Sequence, residues 1–421
     1  MRRWLINRRF ARLWGAGLVS SLGDWVGILA IVALVARLGS QEGGAAGASW
    51  AVAAVMSARV LALVAISPIA GSLVDRFDRR LLLIRVDLVR AGVVALMPFV
   101  GLWSVIVLSA ILEAAGIIWA PARDALLPRL VTDDQLPQAN SANLIATWGT
   151  LPVGATVFAM LAVTWQRAGS TGPPEAMALL VDAASFVVAA AMVTRLHLPS
   201  TEAAVPQDST GQGLLKDGLD GWRLVARERP LRRLVLAISV AFVGVGALTG
   251  LGPVFTRFDL ATGQAGFGAL VASLGLGGLV GLAVVSALGP RPGLDRILTL
   301  GLACSGVALG AVALAPSLGL AVAAAFPAGV AAGAAWVAGY SLMESVDDAY
   351  RGRVLVAATV LSRFVLLGSR VAFPALAAVL SAWSASSTSM VDLSGTRLAL
   401  LAGAATLLVA AVIARPVATH V

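Results

Sequence analysis

Apolar runs of bilayer length recur along this whole sequence, and few folds can accommodate them. A helix needs about 20 mainly apolar residues to cross the hydrocarbon core. Such runs fall near 10–37, 46–74, 81–103, 104–121, 140–165 and 176–195, and after a polar interval near 231–256, 264–288, 296–315, 318–345, 354–382 and 396–415. The spacing predicts an all-α membrane protein of twelve transmembrane helices. A barrel is excluded, because no segment of about ten residues alternates with period two. The charge content agrees: 13% charged against 59% hydrophobic residues cannot cover a soluble surface of 421 residues. The first run is too long for a signal-peptide core and is expected to stay in the protein.

Basic residues set the orientation. Of the 31, all but Lys216 are arginine. With both termini in the cytoplasm, 22 lie on the inner side, including Arg76, Arg79, Arg80, Arg123, Arg129, Arg351 and Arg353. The outer side receives only four, Arg37, Arg167, Arg257 and Arg397. That asymmetry decides the topology by the positive-inside rule. The net charge of +9 is therefore spent on orientation. A nucleic-acid surface needs a solvated basic patch with aromatics beside it, which these arginines, placed between spans, do not form. His197, His420 and the lone Cys304 cannot assemble a zinc site, so no metal is expected.

The two sets of six spans are offset by about 215 residues. They divide the chain into a six-helix bundle at 1–198, a cytoplasmic linker at 199–230 and a second six-helix bundle at 231–421. Two six-helix halves are a known route to alternating access around a midplane site. Within the linker, Leu215, Leu219, Trp222 and Ala226 follow helical spacing with Arg223 and Arg227 on other faces. This predicts a short amphipathic helix on the inner leaflet.

Several motifs carry a family resemblance. After span 2 the chain reads Gly71-Ser-Leu-Val-Asp75-Arg76-Phe-Asp78-Arg79-Arg80, similar to the G-x-L-a-D-r-x-G-r-k signature of the major facilitator superfamily, with Asp78 in place of the usual glycine. Ser21-Leu-Gly-Asp24, Pro121-Ala-Arg123-Asp124, Gln138-Ala-Asn140, Leu180-Val-Asp182-Ala-Ala-Ser185-Phe186 and Asp347-Asp-Ala-Tyr-Arg351-Gly352-Arg353-Val354 resemble the branch of drug:proton antiporters that includes macrolide and enterobactin exporters. The stretch from Ile111 to Arg123, with Thr147-Trp-Gly-Thr-Leu-Pro152, is also similar to transporter domains fused to actinobacterial thymidylate kinases. This chain has no phosphate-binding G-x-x-x-x-G-K-[ST] loop, so no kinase and no enzyme activity is expected. The resemblance implies a latch on the cytoplasmic side, in which Gly71, Asp75, Arg76, Arg79 and Arg80 meet the region of Arg353.

Charged residues inside spans cost about 2.5–3.5 kcal/mol each on insertion scales, so each needs a partner or a purpose. Counting ~1.5 Å per residue, Asp24 and Arg59 reach similar depths of ~21 and ~22 Å. They are expected to pair, either as a structural bridge or as a proton-coupling device. Glu113 and Arg90, at ~12 and ~14 Å, form a second expected pair. Arg85 and Asp87 are assigned to the loop network nearer the inner surface. Arg370 and Arg363 share one face of span 11. Arg370, Arg363, Glu113 and Asp182 are the candidate substrate-cavity residues, with packing the competing reading for Glu113 and Asp182. Gly277-xxx-Gly281 and Gly329-xxx-Gly333 follow the spacing of helix contacts.

The resemblance thus implies a proton-coupled exporter of small amphipathic, drug-like or siderophore-like molecules in the bacterial inner membrane, with no cofactor beyond a proton gradient. It is expected to act as a monomer with no nucleic-acid partner. Two alternatives stand beside it: a lipid or lysolipid translocator on the same fold, and a non-transporting membrane module that docks a cytoplasmic nucleotide enzyme.

Overall fold

The computed structural model describes residues 6–132, 135, 139, 142–143, 146–147, 149–167, 174–196, 223, 225–288, 293–344, 348–386 and 393–415. Every regular element among them is helical. The predicted amphipathic helix and the linker 199–213 fall almost wholly outside the described residues.

Helix α1 (Arg8–Arg76) is two spans in one. Gly43 and Gly44 leave helical geometry in its middle, and Gly44 has a φ of 58°, a region glycine enters without a Cβ clash. The runs predicted at 10–37 and 46–74 are therefore the two arms of a hairpin. Then follow α2 (Arg79–Leu96), α3 (Leu102–Asp124), α4 (Leu151–Arg167) and α5 (Pro174–Thr194). The next is α6 (Arg229–Val254), continued by a π-helical turn, Phe255–Asp259. Finally come α7 (Gly263–Leu288), α8 (Leu294–Leu314), α9 (Leu318–Glu344), α10 (Asp348–Ser386) and α11 (Gly395–Ala414).

Nine helices among the described residues are long and apolar enough to cross a membrane, α1 counting once. Its second arm, the arginine-rich α2 and the shorter apolar stretch Val153–Trp165 of α4 complete the twelve predicted spans. Asp78, which stands where the superfamily signature has glycine, is the N-cap of α2: its carboxylate accepts the Leu81 amide at 2.7 Å.

The helices form two compact units. The first holds α1 to α5 and the opening turns of α7 (262–272); the second holds the remainder from α6 onward. In the first, Phe10, Leu83, Trp119, Leu126 and Val193 draw four helices together near the start of α1. In the second, small residues dominate the contacts, with Ala237, Ala335, Ala338 and Ala410 around Leu298 and Leu302. Large apolar side chains such as Phe99, Trp103, Leu300 and Val307 are exposed, as a lipid-facing surface requires.

Candidate functional site

The first unit contains a group of charged side chains drawn from four helical segments. Arg90 of α2 is its centre. Its side chain is 7% exposed and one Nη donates to Asp24 Oδ1 of α1. The other Nη lies 3.6 Å from Asp87 Oδ1 and 3.4 Å from Ser20 Oγ. The guanidinium also sits 4.0 Å above the centre of the Phe186 ring of α5, a cation–π contact away from water. Beside it, Arg59 in the second arm of α1 bonds Glu113 of α3.

These pairings correct the sequence reading. Asp24 meets Arg90 rather than Arg59, and Glu113 meets Arg59 rather than Arg90. Depth along the bilayer was the only coordinate available, and depth does not report the direction a side chain faces around the bundle. The long arginine side chains bridge the difference in level. Asp87, assigned above to the loop network, is instead wholly buried against Arg90. Its i, i+3 spacing from Arg90 was the signal in the sequence.

Asp24 is the accessible carboxylate of the group, with its side chain 43% exposed. Asp182 of α5 is the opposite case, at 1%. It does not face open space but rests on α1, where Gly23 and Gly27 leave a groove. A Cβ on Gly23 would lie 2.7 Å from Asp182 Oδ1, and one on Gly27 would overlap Oδ2. Two hallmark motifs of the sequence, Ser21–Asp24 and Leu180–Phe186, therefore fit into one another. Asp182 Oδ1 accepts no hydrogen bond among the described residues, and Ser185 gives its hydroxyl to the Asp182 main-chain carbonyl at 2.7 Å.

The other predicted residues are dispersed. In the second unit, Arg370 donates through Nε to Thr249 Oγ1 of α6 at 3.1 Å. The side chains of Arg363, Asp75, Arg353 and the neighbouring Glu344 lie outside the described residues, as does what Gly71 packs against. Arg76 is exposed. Arg79 and Arg80 turn to helix C-termini of their own unit: Arg79 reaches Ala125 O at 3.4 Å, and Arg80 reaches Val193 O at 3.2 Å and Thr194 O. Cations belong at such ends, where carbonyls are left over and the helix dipole is negative.

The sequence reading missed two buried ion pairs at the helix ends. In the first unit Arg37 Nε lies 3.3 Å from Glu175, which is fully buried and also accepts from Gln264. In the second, Arg397 Nε lies 3.2 Å from Asp259, which also accepts from Ser394. Arg397 further donates to Ala313 O at 2.9 Å and lies over the Phe255 ring. Arg37 to Asp259 is an offset of 222 residues, and so is Glu175 to Arg397. The pairs occupy repeat-related positions with the signs exchanged. That shared offset was legible in the sequence.

The twelve spans and the hallmark motifs point to one family. Residues 4–420 match the transmembrane secretion effectors, a branch of the major facilitator superfamily. The chain belongs to that family. The curated relatives that the chain matches are named as MFS-type transporters or as an exporter. Similar proteins include the uncharacterised MFS-type transporter y4rN of Sinorhizobium fredii, 29% identical over 254 residues, 58% of this chain and 59% of that one. Another is a Bacillus subtilis protein provisionally named as the bacilysin exporter BacE, 25% identical over 57% of this chain and 58% of its own. The chain spans 59% or less of the length of these curated relatives. Among solved structures, a bacterial homologue of the human lysosomal transporter Spinster, inward-facing and unoccupied, superposes with a TM-score of 0.71 at 14% identity, covering 97% of this chain and 96% of that one. The nucleoside transporter NupG gives 0.70 at 12%, covering 96% and 98%. At these identities the likeness carries the fold alone.

The exchanged signs of the end pairs make a prediction for this chain. Breaking a buried ion pair costs about 3–5 kcal/mol because the remaining charge is stranded. Arg397→Asp is expected to lower the thermal unfolding midpoint in detergent strongly. Adding Asp259→Arg should recover part of the loss, since the first unit already holds the reversed polarity at the equivalent positions. Recovery stays partial, because an aspartate at 397 cannot reach Ala313 O or cover Phe255. A double variant no more stable than Arg397→Asp alone would show that the two positions do not act as a pair.

Proposed function

We propose that this transporter exports small amphipathic molecules in exchange for protons, by alternating access in the bacterial inner membrane with both termini in the cytoplasm. One observation carries the reading. The group around Arg90 sets four carboxyls, Asp24, Asp87, Glu113 and Asp182, against two arginines, Arg59 and Arg90. With every carboxyl ionised, the group would hold two uncompensated negative charges at low dielectric, where an unpaired charge is expensive. Such a group takes up protons and gives them back as its arginines change partner. The exposed member, Asp24, is the one a proton or a cationic cargo reaches first. When either arrives, Arg90 is released, and a local charge event is turned into a helix movement. Arg370 is the cation that meets an anionic or zwitterionic cargo group. The description of the family as secretion effectors supports outward transport.

The test uses inverted membrane vesicles carrying a pH gradient, challenged with ethidium and a panel of amphipathic cations and anions. Wild type is expected to collapse the gradient when cargo is added. Asp24→Asn, nearly isosteric with the protonated acid, should fold normally and lose that coupled response entirely. A full response in Asp24→Asn would overturn the assignment. Silence of the wild type across the panel, with transbilayer movement of a lysolipid, would move the reading to the lipid translocator.

A further inference from the structure

We infer that Asp182 is a second proton-binding carboxyl of the transport cycle, exchanging its proton with Asp24 as Arg90 moves between them. This rests on the exporter reading and assigns a part to a residue for which the sequence offered only a cavity-lining or a packing role.

Geometry is the first support. Asp182 is 1% exposed, its Oδ1 has no hydrogen-bond partner among the described residues, and no arginine nitrogen among them lies within 4.0 Å of it. Its carboxyl is pressed on Gly23 and Gly27, on a stretch of α1 whose backbone groups are committed to the helix. Ser185, on its own helix, is the one hydroxyl beside the carboxyl among the described residues, and it divides its donation between Asp182's carboxyl and its main-chain carbonyl at 2.7 Å, so it supplies no charge to offset burial. A bare carboxylate in such a place bears an uncompensated desolvation cost of several kcal/mol; the neutral acid does not.

Position is the second support. Asp182 and Phe186 are four residues apart on α5 and so share a face one turn apart. Arg90, stacked on Phe186, is therefore parked one turn from Asp182 while it holds Asp24. Its Nε–H has no hydrogen-bond acceptor among the described residues. The charged groups that act on Asp182 are Asp24 and Arg59 of α1 and Arg90 of α2. Behind the two arginines stand Asp87 of α2 and Glu113 of α3.

The step balances. In the state seen here Arg90 pairs with ionised Asp24 and Asp182 holds a proton. When Arg90 slides along the Phe186 face to Asp182, that carboxyl releases its proton and Asp24, now without its cation, takes one up. One proton moves, no bond other than O–H changes, and the charge of the group is constant throughout. The exchange spares Asp24 and Asp182, each in turn, the cost of an unpaired carboxylate.

Infrared spectroscopy of the full chain in lipid, without cargo or gradient, tests this. Wild type at neutral pH should show the carbonyl stretch of a protonated aspartic acid, shifted by carbon-13 labelling of aspartate. Asp182→Asn should remove one component of the band; any component of Asp87, which is wholly buried with neither oxygen hydrogen-bonded among the described residues, is identified by its loss in Asp87→Asn. Asp24→Asn should remove the Asp182 component too, because the released Arg90 then pairs with Asp182 and ionises it. A wild type without the band, a band unaltered in Asp182→Asn, or one unaltered in Asp24→Asn overturns the proposal. Should Asp182→Asn not accumulate, Asp182→Glu with labelled aspartate serves instead: the labelled band must lose the Asp182 component and gain an unlabelled glutamic acid band, and a labelled band unchanged from wild type overturns the proposal. The spectrum needs no transport, so a silent cargo panel would sink the exporter reading and leave this result standing.

Discussion

Arg90→Ala is expected to be among the most damaging single substitutions in the first unit. Arg90 is the shared cation of Asp24 and Asp87, donates toward Ser20, and covers the Phe186 ring. Alanine leaves a wholly buried Asp87 and the neighbouring Asp24 without their positive charge. Truncating one partner of a buried pair costs about 3–5 kcal/mol, and the lost stacking on Phe186 adds about 0.5–2 kcal/mol. Against the marginal stability of folded proteins that is a large share. The variant should show a much lower yield of folded protein and early thermal unfolding in detergent. Arg90→Lys keeps the charge but not the forked donor, and is expected to fall between. Arg59→Ala is the comparison: Arg59 and Glu113 are both partly exposed, so water compensates for part of the loss. If Arg90→Ala unfolds no earlier than Arg59→Ala, then the group is not centred on Arg90. A second substitution, Asp87→Asn, should recover part of the loss by removing the stranded charge.

The same residues show what can be read from a sequence of this kind. The fold was almost wholly legible, because span length and apolarity are one-dimensional properties that the bilayer itself imposes. Even the hairpin of α1 was visible as two runs parted at Gly43 and Gly44. The members of the charged group were legible too, since a charge inside a span is conspicuous. Their partners were not. Asp24 could be placed by depth, but which arginine it meets depends on helix rotation and side-chain reach, and depth alone favoured Arg59 over the shallower Arg90. Asp182 was visible as a charge, yet the groove that receives it exists only when Gly23 and Gly27 of one span face α5. Charges at span ends were credited to orientation alone, which hid Arg37–Glu175 and Asp259–Arg397. Those pairs do both jobs: they sit where topology wants charge and they tie first spans to last spans in each repeat.

Glycine spacing gives the second large effect, this time in the second unit. The motifs Gly277-xxx-Gly281 and Gly329-xxx-Gly333 face one another between α7 and α9. A Cβ on Gly277 would strike the Phe326 carbonyl oxygen, and one on Gly281 that of Val330. In return, a Cβ on Gly329 would strike the Leu274 oxygen and one on Gly333 that of Gly278. In every case the obstacle is backbone, which no rotamer change can move aside. Alanine there must push two helices apart along their whole contact, forfeiting the close packing that holds membrane helices together. Each of Gly277→Ala and Gly329→Ala is expected to cost about 1–3 kcal/mol, after the gain in helix propensity has offset part of the strain. The double variant strains the same interface from both sides, so its loss should depart from the sum of the two. The control lies one residue away: a Cβ on Gly278 meets nothing nearer than Gly329 O at 3.8 Å, an ordinary contact. Gly278→Ala should therefore unfold close to wild type, or slightly above it, in a thermal scan in detergent. Equal midpoints for Gly277→Ala and Gly278→Ala would mean that α7 and α9 do not approach through these glycines, and that their spacing reflects helix composition alone.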